Sequence, residues 1–536
     1  MNKERKTENL LLYNGRIYTQ VPEAPFYQAL GIAGGKIVWL GMDDELYQLP
    51  PDKFKIINLR GKTVLPSFFE AHMHFAFWAW SLGYIELSGC KSYQETLRAI
   101  KSRSQELERG QWLVGQGWFK DGWENPVWPH KKDLDRLVPN HPAVMMSRDQ
   151  HAIWVNSRAL LKAGIRADTP DPRGGEIVRD ESGEPTGILK DTAAQQVYRI
   201  MKPPTDVRGS LLLKTAEMHA HSLGITGVAS FDSIDGFRRV QSFHRKIGLK
   251  LRVSQFVPSD HLDELISLGI QSGFGDRFLR IQGVKYFADG ALGSQTALMF
   301  QPYKGTKSDY GLALYDDDEL KAEVKRCARS GLNVAIHAIG DRANRMALDA
   351  IIKAQGRSAG KFRNRIEHCQ LLKKEDIERF GPHRIVGSVQ PVQMPLDIDM
   401  IKKYWGRRGR YSYALKSMLR SGARLAFGSD APIEPPNPLL NIYLAVSRHP
   451  RQTDKPFYPS ERIRVEEAVF AHTYGGAYSV EQEKLFGSIK IGNFADLVIL
   501  DKDLHCISPD QISHVEVLGT LLEGEFVYGK EYFQDW

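Results

Sequence analysis

Cysteine is scarce in this chain of 536 residues, and its four cysteines form no CxxC pair. Cys90, Cys327, Cys369 and Cys506 lie far apart, which argues against a disulfide framework or a zinc ribbon. A reducing compartment fits, and the cytoplasm is the expected location. Long apolar runs are also missing. The most apolar stretch, 75–85, is about half the length of a bilayer span, so no membrane segment is expected. The beginning, MNKERKTENLLLYNGRIY, is basic, but its apolar run LLLY is too short for a signal peptide. The 47 glycines and 27 prolines are too few and too dispersed for collagen or low complexity. Walker loops, RNP motifs and zinc-finger spacings do not occur. Acids are missing locally: Ile401 to Arg424 carries eight Lys/Arg and no Asp or Glu, within a net charge of +8. Such a stripe suits phosphates, so a non-catalytic nucleic-acid-binding or regulatory role is the alternative from another class. The plainer reading is a solvated helix face beside a loop.

What is present is ordinary globular material, 42% hydrophobic and 25% charged, enough for a large core. Both ends read as β. LLLYNGRIYT carries an Asn-Gly turn and ALGIAGGKIVWLG a Gly-Gly turn, and KIINLRGKTVL follows. FADLVILD and VEVLGTLLEGEFVYG repeat the style near the other end. Short strands joined by hairpins at both ends predict one small β-sandwich built from both termini.

The middle alternates apolar strands with amphipathic helical stretches. KTVLPSFFEAHMHF, GITGVASFD, LKLRVSQFV, RIQGVKYFADG, GLNVAIHAIGD, RNRIEHCQ, RIVGSVQP and RLAFGSDAP make eight. The expected fold is therefore α/β, a (β/α)8 TIM-like barrel. After strand one the gap is roughly 130 residues, where a helix and its loops need about 25 to 30. It predicts an inserted subdomain that is rich in tryptophan. The expected domains are 1–64 for the first part of the sandwich, 65–484 for the barrel with its insertion at about 80–204, and 485–536 for the rest of the sandwich.

Chemistry collects at the strand ends, where such barrels keep their active sites. His72 and His74 end strand one, and alternation puts both imidazoles on one face. His219 and His221 share the H-x-H spacing but sit in LLLKTAEMHAHSLG, which reads as helix; they diverge around its axis and are set aside. Lys285, His337, His368 and Asp430 end later strands. Each alone has a bland reading: a packed histidine, a helix cap, a lysine reaching solvent. Six such residues at the ends of strands one, four, five, six and eight form a metal site assembled from distant sequence. Asp289, four residues after Lys285, orients substrate or holds its loop, and the loop role is favoured. His151, in RDQHAIWVN, donates to a substrate carbonyl if the insertion covers the mouth; otherwise it packs among aromatic rings. Trp78 and Trp80 follow the histidine pair and are expected to wall the substrate pocket. Asp341 is expected to cap or anchor the helix after His337, and Cys369 to face the core.

The order HMH, Lys, His, His, Asp resembles the binuclear amidohydrolase superfamily. SRDQHAIWVNSRALLKAGI, GEPTGIL, VKYFADGALGSQTA, AIHAIGDRAN, RIEHCQ, SVQP, FGSDAPIEPPNPL and GNFADLVILD narrow the resemblance to the branch of N-substituted formamide deformylases. Ser67 and Glu70 depart from the P-G-x-x-D-x-H-x-H pattern of that family. The resemblance implies a hydrolase acting on the C–N bond of a non-peptide amide through a metal-bound hydroxide. One or two divalent ions, taken as Zn2+, would sit on His72, His74, Lys285, His337, His368 and Asp430. It implies that Lys285 is carboxylated, since an ammonium has no lone pair to give. Asp430 would shuttle the proton. Lactone and phosphoester hydrolysis on the same site remain alternatives. The expected partner is a small-molecule substrate; a homodimer is left open.

Overall fold

The computed structural model describes residues 8–533, apart from 106, 108–109, 149–151, 173–174, 202–204, 357–359 and 452–454. The chain divides into two compact units, Ala79–Leu212 and the remainder on either side of it.

The larger unit contains the barrel. Its strands are β1 (Phe68–Met73), β2 (Ile225–Ser230), β3 (Arg252–Pro258), β4 (Leu279–Phe287), β5 (Asn333–Ala338), β6 (Arg365–His368), β7 (Val386–Val389) and β8 (Arg424–Phe427). They pair in sequence order, all parallel. A parallel bridge between Met73 and Ala431 draws the last strand's exit back to the first. All eight segments read from the sequence are these strands. They were legible because parallel strands are covered on both faces, so each is a short run of apolar residues. Amphipathic helices such as Asp317–Arg329 and Asp341–Gln355 follow them.

The same unit contains the sandwich. One sheet runs Lys36–Gly41, Ala29–Ala33, Leu10–Tyr13, Lys55–Asn58; the other runs Glu525–Tyr528, Val517–Leu522, Leu497–Leu500, Thr63–Pro66, Arg16–Tyr18, Phe26–Tyr27. Leu12, Leu30, Ile37, Val64, Leu497, Ile499 and Leu521 belong to one buried cluster. The antiparallel pairing of Leu497–Leu500 with Thr63–Pro66 joins the two ends of the chain in one sheet.

The turn at Asn14-Gly15 corrects one expectation. It does not close a hairpin: Leu10–Tyr13 and Arg16–Tyr18 lie in different sheets. Asn14 takes φ +53°, and the chain crosses between layers where a Cβ on Gly15 would lie 2.5 Å from Leu59 Cδ1. The Arg60-Gly61 turn crosses beside it, with the Gly61 amide donating to the Asn14 carbonyl at 2.7 Å. Gly34-Gly35, with φ of +57° and +78°, does close a tight hairpin.

The smaller unit has its own six-stranded sheet, ordered Gly175–Arg179, Pro185–Asp191, Ala152–Val155, Ala143–Ser147, Leu113–Trp118, Ile85–Glu86. Trp118, Trp123 and Trp154 are buried in its core, and Trp118 Nε1 donates to the Met145 carbonyl at 2.7 Å. Among the described residues no helix is long and apolar enough to cross a membrane.

Candidate metal centre

The C-terminal ends of the barrel strands gather the titratable residues expected there. His72 Nδ1 donates to Glu367 Oε2 at 2.6 Å, which leaves Nε2 as the lone-pair nitrogen. That Nε2 lies 3.4 Å from Asp430 Oδ1, and His74 Nε2 lies 3.5 Å from the same oxygen. Ligand atoms of His72, His74 and Asp430 all fall within 4.8 Å of one another, the spacing of donors around one cation. The rings of His72 and His368 are 5.0 Å apart, and those of His337 and His368 are 4.6 Å apart. His337 Nε2 donates to the Gly290 carbonyl at 3.0 Å, so its Nδ1 is the free nitrogen.

Backbone strain helps build this cluster. His368 and Asp430 take φ of +72° and +65°, the left-handed region that non-glycine residues avoid. Glu367 and His368 are sequence neighbours, and simple alternation would point them apart. The twist at His368 lets both address His72. Close approach is also required at Gly428, where a Cβ would lie 2.5 Å from the His72 nitrogen.

The protonation states suit a cation. Burial holds the His337 imidazole neutral, pushing its pKa down to about 3, and holds His368 well below the usual range. Burial opposes charge on Asp430, yet His72 and His74 keep its carboxyl well below the usual carboxylate range. Burial likewise opposes charge on Glu367, and Arg365 and His72 outweigh it. Two further atoms are telling: buried His368 Nδ1 and Lys285 Nζ have no hydrogen-bond partner. Such orphans are costly unless something absent from a protein-only chain satisfies them. Burial opposes charge on His74, yet its hydrogen bond to Asp430 raises the pKa, and a divalent cation would take the place of that proton. Lys285 fits only once its amine becomes an anion; burial lowers its pKa to about 8, which brings the neutral amine within reach.

Glu70 shows what the departure from the family pattern does. It is buried, its Oε1 accepts from the Ser429 amide at 2.6 Å and the His72 amide at 3.4 Å, and burial raises its pKa to about 8. It pins the strand-eight exit to the backbone of His72. Ser67 Oγ meets Thr226 Oγ1 at 2.5 Å, away from this cluster.

The remaining expected residues fall elsewhere. Asp289 accepts from the amides of Leu298, Ile339 and Gly340 at 2.8, 3.0 and 2.9 Å, so its oxygens hold loops together. The segment from Phe75 to Trp80, which holds the two tryptophans expected at the pocket wall, lies in the helix Phe75–Ser81. Asp232 causes this: its carboxylate accepts from the amides of Ala76 and Phe77 at the first turn. Trp78 is buried, with its ring 5.4 Å from His219 and 6.4 Å from Phe75. Trp80 belongs to the smaller unit, and His151 lies outside the described residues. His219 and His221 are on a helix, as read, and His221 Nε2 donates to the Lys250 carbonyl at 2.7 Å. Asp341 accepts from the Phe300 amide at 2.9 Å. Cys369 is buried, its thiol donating to the Ile366 carbonyl at 3.3 Å. In the basic stretch Lys402, Lys403, Arg407, Arg410, Arg420 and Arg424 are exposed, while Arg408 donates to the carbonyls of Gln301 and Pro302.

The structure adds residues that the sequence reading missed. Glu367 orients His72. Arg365 binds Glu367 through both oxygens and reaches Ser388 Oγ at 2.8 Å. Gln393 Nε2 donates to Asp430 Oδ2 at 3.2 Å. The available signal was R-I-E within a buried strand: two charges on one face require each other. Glu367→Gln should therefore weaken zinc binding of the folded protein by about 10- to 100-fold, and it should also lower stability, because the buried Arg365 guanidinium loses its counter-charge. Titration with a competing chelator checks this, and unchanged affinity would remove Glu367 from its orienting role.

Known proteins resemble this chain over nearly its whole length. A family model described as "Amidohydrolase family" matches residues 55–528. Protein LONG AFTER FAR-RED 3 of Arabidopsis thaliana is 34% identical over 97% of this chain and 91% of its own. An N-substituted formamide deformylase of Arthrobacter pascens is 27% identical over 97% of this chain and 98% of its own. A solved structure described as an uncharacterized metal-dependent hydrolase from Pyrococcus furiosus superposes with TM-score 0.78 at 30% identity. It covers 93% of this chain and 100% of its own.

Proposed function

The chain belongs to the amidohydrolase family, and on that premise we propose that it is a metal-dependent hydrolase of the C–N bond in non-peptide amides. The observation that carries the reading is the convergence of His72, His74, His337, His368 and Asp430 on one barrel mouth, beside an amine with no hydrogen-bond partner. Those side chains would hold one or two divalent ions, with zinc favoured by the imidazoles. A bound cation of this kind polarises a carbonyl and makes water acidic near neutral pH.

The chain's own groups do the rest. Glu367 and Gly290 fix which nitrogen His72 and His337 present. Asp430, ionised and steadied by Gln393, takes a proton from the attacking water and delivers it to the leaving nitrogen. Lys285, as a neutral amine, adds to carbon dioxide and releases a proton, giving a carbamate with two oxygens. The likeness to the Arthrobacter deformylase supports an N-substituted formamide as the substrate.

A screen of zinc-loaded protein tests the reading. N-formyl and N-acyl amines should turn over, lactones and phosphotriesters should not, and protein purified without chelator should carry one or two divalent ions. Turnover of only a lactone or phosphotriester would overturn the C–N assignment; tight nucleic-acid binding without turnover would overturn the enzyme. Lys285→Ala should lose one equivalent of metal, with partial recovery of activity in short-chain carboxylic acids. Wild-type metal content and rate in that variant would sink the carbamate.

A further inference from the structure

One buried side chain at the barrel mouth is left unexplained by any cation. Gln390 is only 1% exposed, and neither its amide nitrogen nor its amide oxygen has a hydrogen-bond partner. Burying a carboxamide with both ends unpaired is expensive, and buried polar atoms in folded proteins are nearly always satisfied. A metal ion takes lone pairs; it offers nothing to an N–H. A group that satisfies both ends, a water or a substrate, needs a donor and an acceptor of its own.

Register fixes where this side chain stands. In β6 and β7 Glu367 lies opposite Ser388, and in β7 and β8 Val389 lies opposite Phe427. The Gly428 amide donates to the Val389 carbonyl at 3.1 Å. Gln390, the next residue, thus lies between the exits of the two strands that carry His368 and Asp430. Ser388 faces the barrel interior, since its hydroxyl meets Arg365 at 2.8 Å. Gln390 leaves the strand with φ −121° and ψ 80°, and alternation from Ser388 returns it to the same face, one layer nearer the mouth. Its carbonyl accepts from the Gln393 amide at 3.0 Å, and the Gln393 side chain in turn meets Asp430. The turn is anchored, so the side chain is held in place by its backbone.

We infer that Gln390 is a substrate-binding residue that reads a secondary amide. A carboxamide has one acceptor oxygen and two donor hydrogens, and a secondary amide presents the complementary N–H and carbonyl. The Oε1 of Gln390 accepts the substrate N–H, and Nε2 is the donor available to a carbonyl oxygen. This rests on the amide-hydrolase reading and makes it more specific: the substrate nitrogen must carry a hydrogen. A site with a buried acceptor rejects an analogue that cannot donate, because the acceptor is then left unpaired.

The probes are N-benzylformamide and N-benzyl-N-methylformamide, which differ at the nitrogen hydrogen. Equilibrium binding to zinc-loaded wild-type protein should favour the first by tenfold or more. Gln390→Met, close in volume, should bring that ratio near one while melting temperature and zinc content stay at wild-type values. The kcat/KM ratio should fall in parallel if both compounds turn over. Equal binding of the two probes by the wild type, or no binding of either, overturns the inference without any variant. A preference that survives in Gln390→Met overturns it as well. A binding preference that the variant abolishes, with no hydrolysis of any amide, would sink the hydrolase reading and leave this recognition standing.

Discussion

Asp430→Asn is expected to lower kcat by roughly a hundredfold or more while most of the metal stays bound. The two halves of that result come from different atoms. Oδ1 faces His72 and His74 at 3.4 and 3.5 Å, whereas Oδ2 accepts from Gln393. An asparagine can keep its oxygen toward the histidines. Its new NH2 then faces Gln393, which can turn its amide over and accept instead. Coordination geometry survives, but the amide cannot take up and return a proton. Steady-state kinetics with elemental analysis separates the outcomes. An unchanged kcat would remove Asp430 from proton transfer. Loss of metal in proportion to rate would make it a ligand and nothing more.

Arg252→Leu is expected to cost about 3–5 kcal/mol of stability, because it strands a buried charge. Arg252 lies on β3 and is fully buried. Its guanidinium meets Asp496 at 2.7 and 3.1 Å, Glu523 at 3.0 Å and the Arg277 carbonyl at 3.2 Å. Phe278, Phe486 and Phe494 surround it, each ring centroid within 5.0 to 5.2 Å. The pair ties the barrel to the segment entering the sandwich strand Leu497–Leu500. Leucine fills part of the volume and leaves the Asp496 carboxylate without its counter-charge. Denaturant unfolding measures the loss, and the folded fraction should keep wild-type kcat. A loss under about 1 kcal/mol, the range of an exposed pair, would show that water reaches this carboxylate.

Much of the barrel could be read from sequence for a simple reason. Parallel strands covered on both faces are apolar throughout, and the candidate ligand residues are the polar interruptions at their ends. The reading failed where a residue's role is set by something distant. Asn14-Gly15 specifies a left-handed turn, but not whether the next strand returns to the same sheet. Phe75 to Ser81 is helical because Asp232, far along the chain, satisfies its first amides. Trp78 looked like a pocket wall from its position, and the helix turns it onto His219. Glu367 appeared as one more residue in a strand, since only the fold brings it to His72. His368 was legible as a candidate ligand but not as a strained residue. Gln390 was part of a matching string, SVQP, whose letters say nothing about hydrogen bonds that fail to form.

The sheet shared by both ends of the chain bears on how the protein is made. Val64 must pair with Ile499, and Leu65 with Val498. At 5–20 residues per second on a ribosome, that wait is on the order of tens of seconds. Throughout it, Thr63–Pro66 has its parallel neighbour Arg16–Tyr18 on one side and an open row of amides and carbonyls on the other. An exposed, apolar strand edge is the feature by which nascent chains adhere to one another. Chaperone capture during synthesis would therefore centre on this early half-sheet rather than on the barrel from β2 onward, whose strands each find a neighbour soon after they emerge.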